Sequence, residues 1–225
     1  MGIEIPKRVP VMMLPEVSLF PGMMLPLFIF EPRYRQMLDE ALNGGRMFAV
    51  AMLTGEGEEP ESVAGVGLIR ASVQNDDGSS HVILNGLSRV MVTGVAHYEP
   101  YPEIDILTVD EADDPSVKAI ALAVKVKELA GELIRRNQPD ISAANEAPDD
   151  EAAYVAKMGG DSFNQLADQM ARMESPGQLA DMLAPALIAD PNRKQELLAT
   201  LDVEDRLDKL IASLLELGGS GSSGS

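Results

Sequence analysis

The stretch LPEVSLFPGMMLPLFIFEPRYRQMLDEAL, residues 14–42, decides the fold that the rest of the chain can adopt. Its apolar run from Leu19 to Phe30 is interrupted by Pro21 and Pro26. One continuous helix is excluded, because an internal proline removes a helical hydrogen bond and clashes with the preceding turn. A membrane span needs roughly 20 apolar residues, and this run is shorter. The run therefore predicts extended structure interrupted by a turn.

The periodicity of the same stretch changes after residue 30. Residues 20–22, Phe-Pro-Gly, indicate a turn, and Leu25 to Phe30 indicate a short strand that is buried on both faces. Pro32 suits the first position of a helix, with Glu31 as its N-cap. Apolar residues then recur on one helical face until Asn-Gly-Gly at 43–45 ends the helix. We therefore predict a strand, a turn, a second strand and a helix.

The composition restricts the partners of the chain. Its 225 residues suffice for one large domain or two small ones, and its formal net charge of -18 argues against nucleic acid and anionic membranes. The absence of cysteine excludes disulfides, thiolate metal sites and a Cys nucleophile, and fits a reducing compartment. The N-terminus shows no secretory h-region. We expect a cytoplasmic protein whose partners are neither nucleic acid nor membrane, and its oligomeric state stays open.

The N-terminal half carries the patterns of a sheet. Gly65 and Gly67 lie inside an apolar run and indicate a bulge or a close backbone approach. Asn-Asp-Asp-Gly at 75–78 indicates a hairpin turn. Pro100 and Pro102 place the last strand near a sheet edge. Besides the strand already described, we predict strands at 9–14, 46–53, 63–73, 80–84, 84–92 and 98–110.

The C-terminal half changes to helical periodicity near Asp110. Asp114 and Pro115 form an N-cap pair for a helix that runs to about residue 137, and a polar loop follows at 139–150. Further helices are predicted around Phe163 to Met170, from Ser175-Pro176, from Asp190-Pro191, and over 203–217. We expect a β-rich subdomain at 1–112, a helical subdomain at 113–217, and a flexible Gly/Ser tail left by cloning at 218–225.

Catalytic signatures are missing from the sequence. No G-x-x-x-x-G-K-[ST] motif occurs, and no Gly-Lys pair exists. His81 and His97 show no metal-ligand spacing, and the acidic loop at 54–61 fits a solvated loop better than a cation site. No nucleophile, base and orienting group come together in the pattern. We therefore expect no enzyme activity, no cofactor and no metal.

Four stretches resemble the Lon protease N-terminal domain, a substrate-binding module that also occurs alone. They are LFPGMMLPLFIFEPRYRQML at 19–38, VAGVGLIRASV at 63–73, LNGLSRVMV at 84–92, and a helical block at 175–215 that contains Glu204-Asp205-Arg206-Leu207. The resemblance spans about residues 9–217. It does not include the ATPase or the protease module of full-length Lon, so no residue here inherits a catalytic role.

The resemblance implies an α+β fold: a bent, partly closed PUA-like barrel with an embedded helix, followed by a helical bundle. It implies a non-catalytic module that binds unfolded or apolar protein segments, as an adaptor or regulator in protein quality control. RNA binding occurs in distant relatives of this fold, but the acidic charge disfavours it. Two alternatives are a small-molecule or hydrolytic role in a groove between the β and helical parts, and a regulator of one folded partner.

A candidate binding surface lies across the first turn. Exposed apolar patches mark interaction sites, and the flexible Met side chain can repack around different partners. The alternative is that the same cluster plugs the end of the barrel. Arg89 is either a structural residue paired with an acidic neighbour or a partner contact. The turn residues of the expected patch are Phe20, Pro21, Met23, Met24 and Leu25.

Overall fold

The computed structural model of the protein describes residues 4–54, 59–109, 115–137 and 164–219. The N-terminal half contains strands β1 (Arg8–Leu14), β2 (Met24–Ile29), β3 (Met47–Met52), β4 (Val63–Gln74), β5 (Ser80–His97) and β6 (Glu103–Thr108), with helix α1 (Pro32–Asn43) after β2. The C-terminal half contains helices α2 (Val117–Asn137), α3 (helical over 164–172), α4 (Pro176–Leu187), α5 (Pro191–Ala199) and α6 (Val203–Gly219). The predicted α+β class is confirmed.

Five of the strands close into a barrel. β1 pairs in parallel with β3 and antiparallel with β6, while β3 pairs with β4 and β4 with β5, both antiparallel. The ring closes because β5 is long enough to pair with β6 through its C-terminal half. β2 pairs with the N-terminal half of β5 and, among the described residues, with no other strand. The predicted partly closed barrel is therefore confirmed, with β2 as an appended edge strand.

The predicted strands at 80–84 and 84–92 form one strand, β5, and two predictions of strand position and burial also need correction. The strand after Pro100 and Pro102 is not at an edge, because β6 pairs on both sides; both prolines precede its first residue, where a missing N–H costs nothing. β2 is not buried on both faces either. Its residues alternate between exposed and enclosed positions, because only one face of this strand is covered.

Alternate residues of the barrel strands supply two separate apolar cores. The interior of the barrel is filled by apolar side chains from all five strands of the ring, most of them small or branched, namely Val9, Val11, Met13, Ala49, Ala51, Ala64, Val66, Val90, Ile104 and Ile106. A second core lies between the outer face of the sheet and α1, and includes Leu25, Ile29, Tyr34, Met37, Leu38, Phe48, Ile69, Val82 and Leu84. The narrow ring explains the alanines, because a small barrel has room for few large side chains.

The segment before β2 lies directly on glycines of the barrel. A Cβ atom at Gly65 would come within 2.0 Å of the Leu19 carbonyl oxygen, and one at Gly86 within 2.0 Å of the Phe20 carbonyl oxygen. The register of β4 and β5 also shifts between Val66 and Gly67. The predicted close approach and bulge are both confirmed. Only residues without a side chain let this segment lie against the strands.

The chain divides into two compact units, Met1–Ala112 with Ala184–Asp202, and Asp113–Leu183 with Val203–Ser225. The segment 184–202, expected in the helical subdomain, therefore belongs to the unit of the strands. Polar contacts of α5 explain this. The Gln195 amide donates to the Val63 carbonyl of β4 at 2.8 Å and accepts from Ser18 Oγ at 2.8 Å.

Of the three helix starts predicted from cap residues in the C-terminal half, two are correct and one is wrong. Asp190 accepts the Arg193 N–H at 2.9 Å, and Ser175 Oγ accepts the Gln178 N–H at 3.3 Å, as N-caps do. For α2 the cap is Ser116, whose Oγ accepts the Ala119 N–H at 3.0 Å, and Pro115 precedes the helix. The expected tail from 218 begins too early, because α6 continues to residue 219. Asp114, the loop 139–150 and Phe163 lie outside the described residues.

Candidate functional site

The turn cluster predicted from the sequence separates into enclosed and exposed residues. Phe20 is fully buried and Leu25 is 9% exposed, so neither presents a side chain to a partner. Pro21 and Met23 are partly buried, and Met23 packs against the core beneath α1. Met24 alone of the five is well exposed, at 51%. The expected continuous patch is therefore corrected, because the backbone lying on Gly86 turns Phe20 inward.

Arg89 lies in the interior of the first unit. Its side chain is 2% exposed, and Nε donates to the Leu198 carbonyl of α5 at 3.1 Å. This bond satisfies a carbonyl near the end of α5, where a helix leaves its last C=O groups without internal partners. Arg89 thus joins β5 to α5, and burial removes it from any surface that a protein segment could contact.

Helix α1 covers one face of the sheet formed by β2, β5 and β4. Residues that pair across strands project to the same face, and the row Leu25–Leu84–Ile69 faces the helix. Ile29 and Val82 continue this covered face. Their burial, from 0% to 9% exposure, makes this face part of the core.

The opposite face of the same three strands is open. The row Phe28–His81–Val73 runs across β2, β5 and β4, with Phe28 48% and Val73 63% exposed. Met24 lies on this face too, and Phe30 follows at 57% exposure just beyond the strand. We call these five residues the open face. Clustered apolar exposure of this kind marks a binding surface more often than isolated apolar residues do.

Aromatic contacts fix the centre of the open face. The ring centroids of Phe28 and Phe30 lie 5.9 Å apart at 29°, and those of Phe28 and His81 lie 4.9 Å apart at 36°. Offset stacking of this kind orients the rings without burying them. The result is an exposed cluster of rings in mutual contact.

Hydrogen bonds hold α1 against the sheet on the covered side. Tyr34 Oη accepts the Met13 N–H at 3.2 Å, and burial raises the pKa of the Tyr34 phenol. Tyr101 donates to the Glu40 carboxylate at 2.5 Å. Burial and this carboxylate raise the pKa of Tyr101 to about 12, while the same bond holds the pKa of Glu40 below its usual value. The Arg35 guanidinium donates to the Asp77 carbonyl in the β4–β5 turn at 2.9 Å.

Other parts of the described structure are weaker candidates for a functional site. A groove of about 350 Å³ lies between α2 and α6, where Arg136 donates to the carbonyls of Leu217 and Gly218 and so ends α6. Across residues 4–54, 59–109, 115–137 and 164–219, no group of three His, Cys, Asp or Glu side chains could hold a metal ion. No helix in those ranges is long and apolar enough to cross a membrane.

Sequence reasoning missed most of the open face. The sequence predicts Phe28 and Phe30 in a strand buried on both faces. It marks Val73 only as a strand residue and His81 only as a histidine without metal-ligand spacing. Both faces of β2 carry apolar side chains, so the strand lacks the alternation of polar and apolar residues that would indicate one exposed face. Pro26 was the available signal, because a proline inside a strand places that strand at an edge, and edge strands are covered less.

Comparison with known proteins identifies a family to which this chain is similar. The family model of the ATP-dependent protease La (LON) substrate-binding domain matches residues 8–216. A Lon protease of Roseiflexus castenholzii is 32% identical over 216 residues, covering 94% of this chain and 24% of the relative. A Lon protease of Desulfosudis oleivorans is 29% identical over 220 residues, with 94% and 24% covered. The chain thus spans about a quarter of the length of these relatives.

Solved structures show the same fold. The N-terminal domain of Mycobacterium avium complex Lon protease superposes with a TM-score of 0.71 at 22% identity, covering 93% of this chain and 99% of that one. A Lon N-terminal domain protein from Xanthomonas campestris gives a TM-score of 0.61 at 18% identity, covering 91% and 97%. At these identities the likeness establishes the fold alone.

Proposed function

The chain belongs to the family of Lon substrate-binding domains, and we propose that it binds unfolded protein segments through the open face of Met24, Phe28, Phe30, Val73 and His81. Membership of this family supports a role in substrate recognition. The choice of surface rests on the exposed, stacked rings of Phe28 in β2 and Phe30 just after it. Unfolded chains expose apolar side chains that folded proteins bury. An exposed apolar surface recognises them by burying those side chains.

The negative charge of the protein favours some unfolded segments over others. The net charge of -18 favours apolar segments that also carry Lys or Arg, and raises their rate of encounter at low salt. We propose that the chain itself only binds, and that it acts in the cytoplasm as an adaptor or regulator in protein quality control. Residues 8–216 match the substrate-binding domain, which supports a binding role for this chain.

A binding titration with a defined peptide tests this function. The probe is the fluorescein-labelled peptide KLTLKLTLK, whose leucines supply apolar side chains and whose lysines match the acidic protein. We expect saturable binding, and replacement of all leucines by threonine should abolish it. The double variant Phe28→Ser/Phe30→Ser should weaken binding by roughly tenfold or more, because exposed aromatic residues contribute most to such surfaces.

Leu107 supplies the matched control. It is 54% exposed on β6, outside the open face, so Leu107→Ser removes a comparable exposed apolar side chain. We expect this variant to bind the peptide within about twofold of the parent protein. Equal losses of affinity in Leu107→Ser and in the phenylalanine variant would reject the open face as the binding surface.

A further inference from the structure

The free edge of β2 is a second, distinct feature of the same region. β2 pairs with β5 along one edge, and no strand among the described residues pairs with the other. An unpaired edge presents main-chain donors and acceptors that can bind another extended chain. The open face would contact the side chains of a substrate. The free edge of β2 would instead bind the main chain of that substrate.

The hydrogen-bond pattern tells which groups face the free edge. The Gly86 N–H donates to the Met23 carbonyl at 2.8 Å, and the Gly86 carbonyl accepts the Gly22 N–H at 2.9 Å. Since residue 23 lies opposite residue 86 when the register of the two strands is extended, the first bond places the positions that bond to β5 at odd-numbered residues of β2. Antiparallel ladders alternate, so Leu25 and its alternate neighbours bond to β5 while Met24, Pro26 and Phe28 direct their main-chain groups outward. Pro26 fits this assignment, since it lacks the N–H that an inward position would need. The edge thus offers outward carbonyls at all three positions and N–H groups at Met24 and Phe28.

We propose that an extended substrate segment, apolar at alternate residues with Lys or Arg between them, adds to this free edge of β2 as a further strand of the sheet. This rests on the proposed function and specifies its geometry. A strand added beside β2 projects every second side chain to the face that carries Met24 and Phe28. Its apolar side chains then extend the open face, while its backbone bonds to the edge.

Charge decides against a second copy of the chain as the occupant. Each copy carries a net charge of -18, so two copies meeting at this edge repel each other. Pro26 also removes one donor from the middle of the six-residue strand, which weakens permanent strand pairing. A cationic, apolar segment gains from the same charge that separates two copies.

Backbone methylation of the probe peptide tests the strand addition while leaving the protein intact. In an added strand, alternate peptide N–H groups point to β2 and the others point away. One version of KLTLKLTLK carries N-methyl groups on its leucines. The matched version carries them on the lysines and threonines that alternate with the leucines. We expect one version to lose at least roughly tenfold in affinity and the other to stay within about threefold, because each lost bond weakens binding several-fold.

The outcomes separate this inference from the proposed function. If the unmodified peptide binds and both methylated versions bind alike, whether well or poorly, strand addition is wrong while the open face stands as a binding surface. If the unmodified peptide does not bind, both proposals fail. Sedimentation of the protein alone adds a check: a dimer that the peptide dissociates would assign the edge to a second copy and overturn the inference.

Discussion

The two faces of the sheet formed by β2, β5 and β4 carry side chains of similar chemistry, but only one of them is covered. On the covered face Leu25, Ile29 and Leu84 lie beneath α1 with exposures from 0% to 9%. On the open face Phe28 and Val73 are about half or more exposed. The difference shows that the apolar character of a strand residue does not by itself indicate whether its side chain is buried or exposed. The position of the covering helix separates the buried side chains from the exposed ones to which we assign binding.

The largest expected effect comes from truncating the covered face. Ile29→Ala should lower the free energy of unfolding by about 2–5 kcal/mol, since it leaves a cavity beneath α1. Phe28→Ala, one residue away on the open face, should cost no more than about 1 kcal/mol despite removing a larger side chain. Urea denaturation of both variants measures this. Equal losses at the two positions would remove the distinction between the faces.

The neighbouring methionines give a smaller version of the same contrast. Met23 packs partly against the covered core, so Met23→Ser should cost about 1–2 kcal/mol. Met24 is 51% exposed, so Met24→Ser should change stability by no more than about 0.5 kcal/mol and weaken peptide binding instead. Thermal melts and peptide titrations on the two single variants separate these effects. A stable Met23→Ser protein with reduced binding would contradict the assignment.

The pH dependence tests what holds the covering helix. The pKa of Tyr101 is raised to about 12, so its contribution to stability is complete below about pH 10 and is lost as pH rises towards 12. The pKa of Glu40 is lowered, so its contribution is present above about pH 4.5 and is lost as pH falls through the folded-state pKa.

Replacing the phenol should flatten both limbs of the pH profile. We expect Tyr101→Phe to reduce the loss of stability between about pH 10 and 12 and also part of the loss in acid, because the bond to Glu40 is gone. Tyr34 keeps its own raised pKa, so some alkaline dependence should remain. Unfolding measured across this pH range is the check, and an unchanged profile in the variant would show that the bond does not hold α1.

Local sequence signals predicted the positions of helices, turns and strands better than the contacts between them. The caps at Ser175 and Asp190, the turn after β4 and the close approach at Gly65 follow from residue types that act on their own neighbourhood. The class of the fold and a partly closed barrel are also implied by the resemblance that residues 19–38 and three further stretches carry.

Long-range packing explains what the sequence could not predict. Arg89 bonds to Leu198, and Gln195 bonds to Ser18, across more than a hundred residues of chain. No local pattern encodes such contacts, so α5 was assigned to the wrong unit. The open face was missed for the same reason. Phe28 is exposed because α1 covers the other side of its strand, a fact that is not present in residues 24–29 themselves.

Hydrogen exchange of the protein with and without saturating KLTLKLTLK tests the central claim most directly, because it locates the bound segment without altering either molecule. The account predicts that exchange slows most in segments containing residues 23–31, with smaller slowing at 79–85 and none in α2, residues 117–137. Slowed exchange confined to α2 or α6, with residues 23–31 unchanged, would contradict the assignment of the open face as the substrate-binding surface.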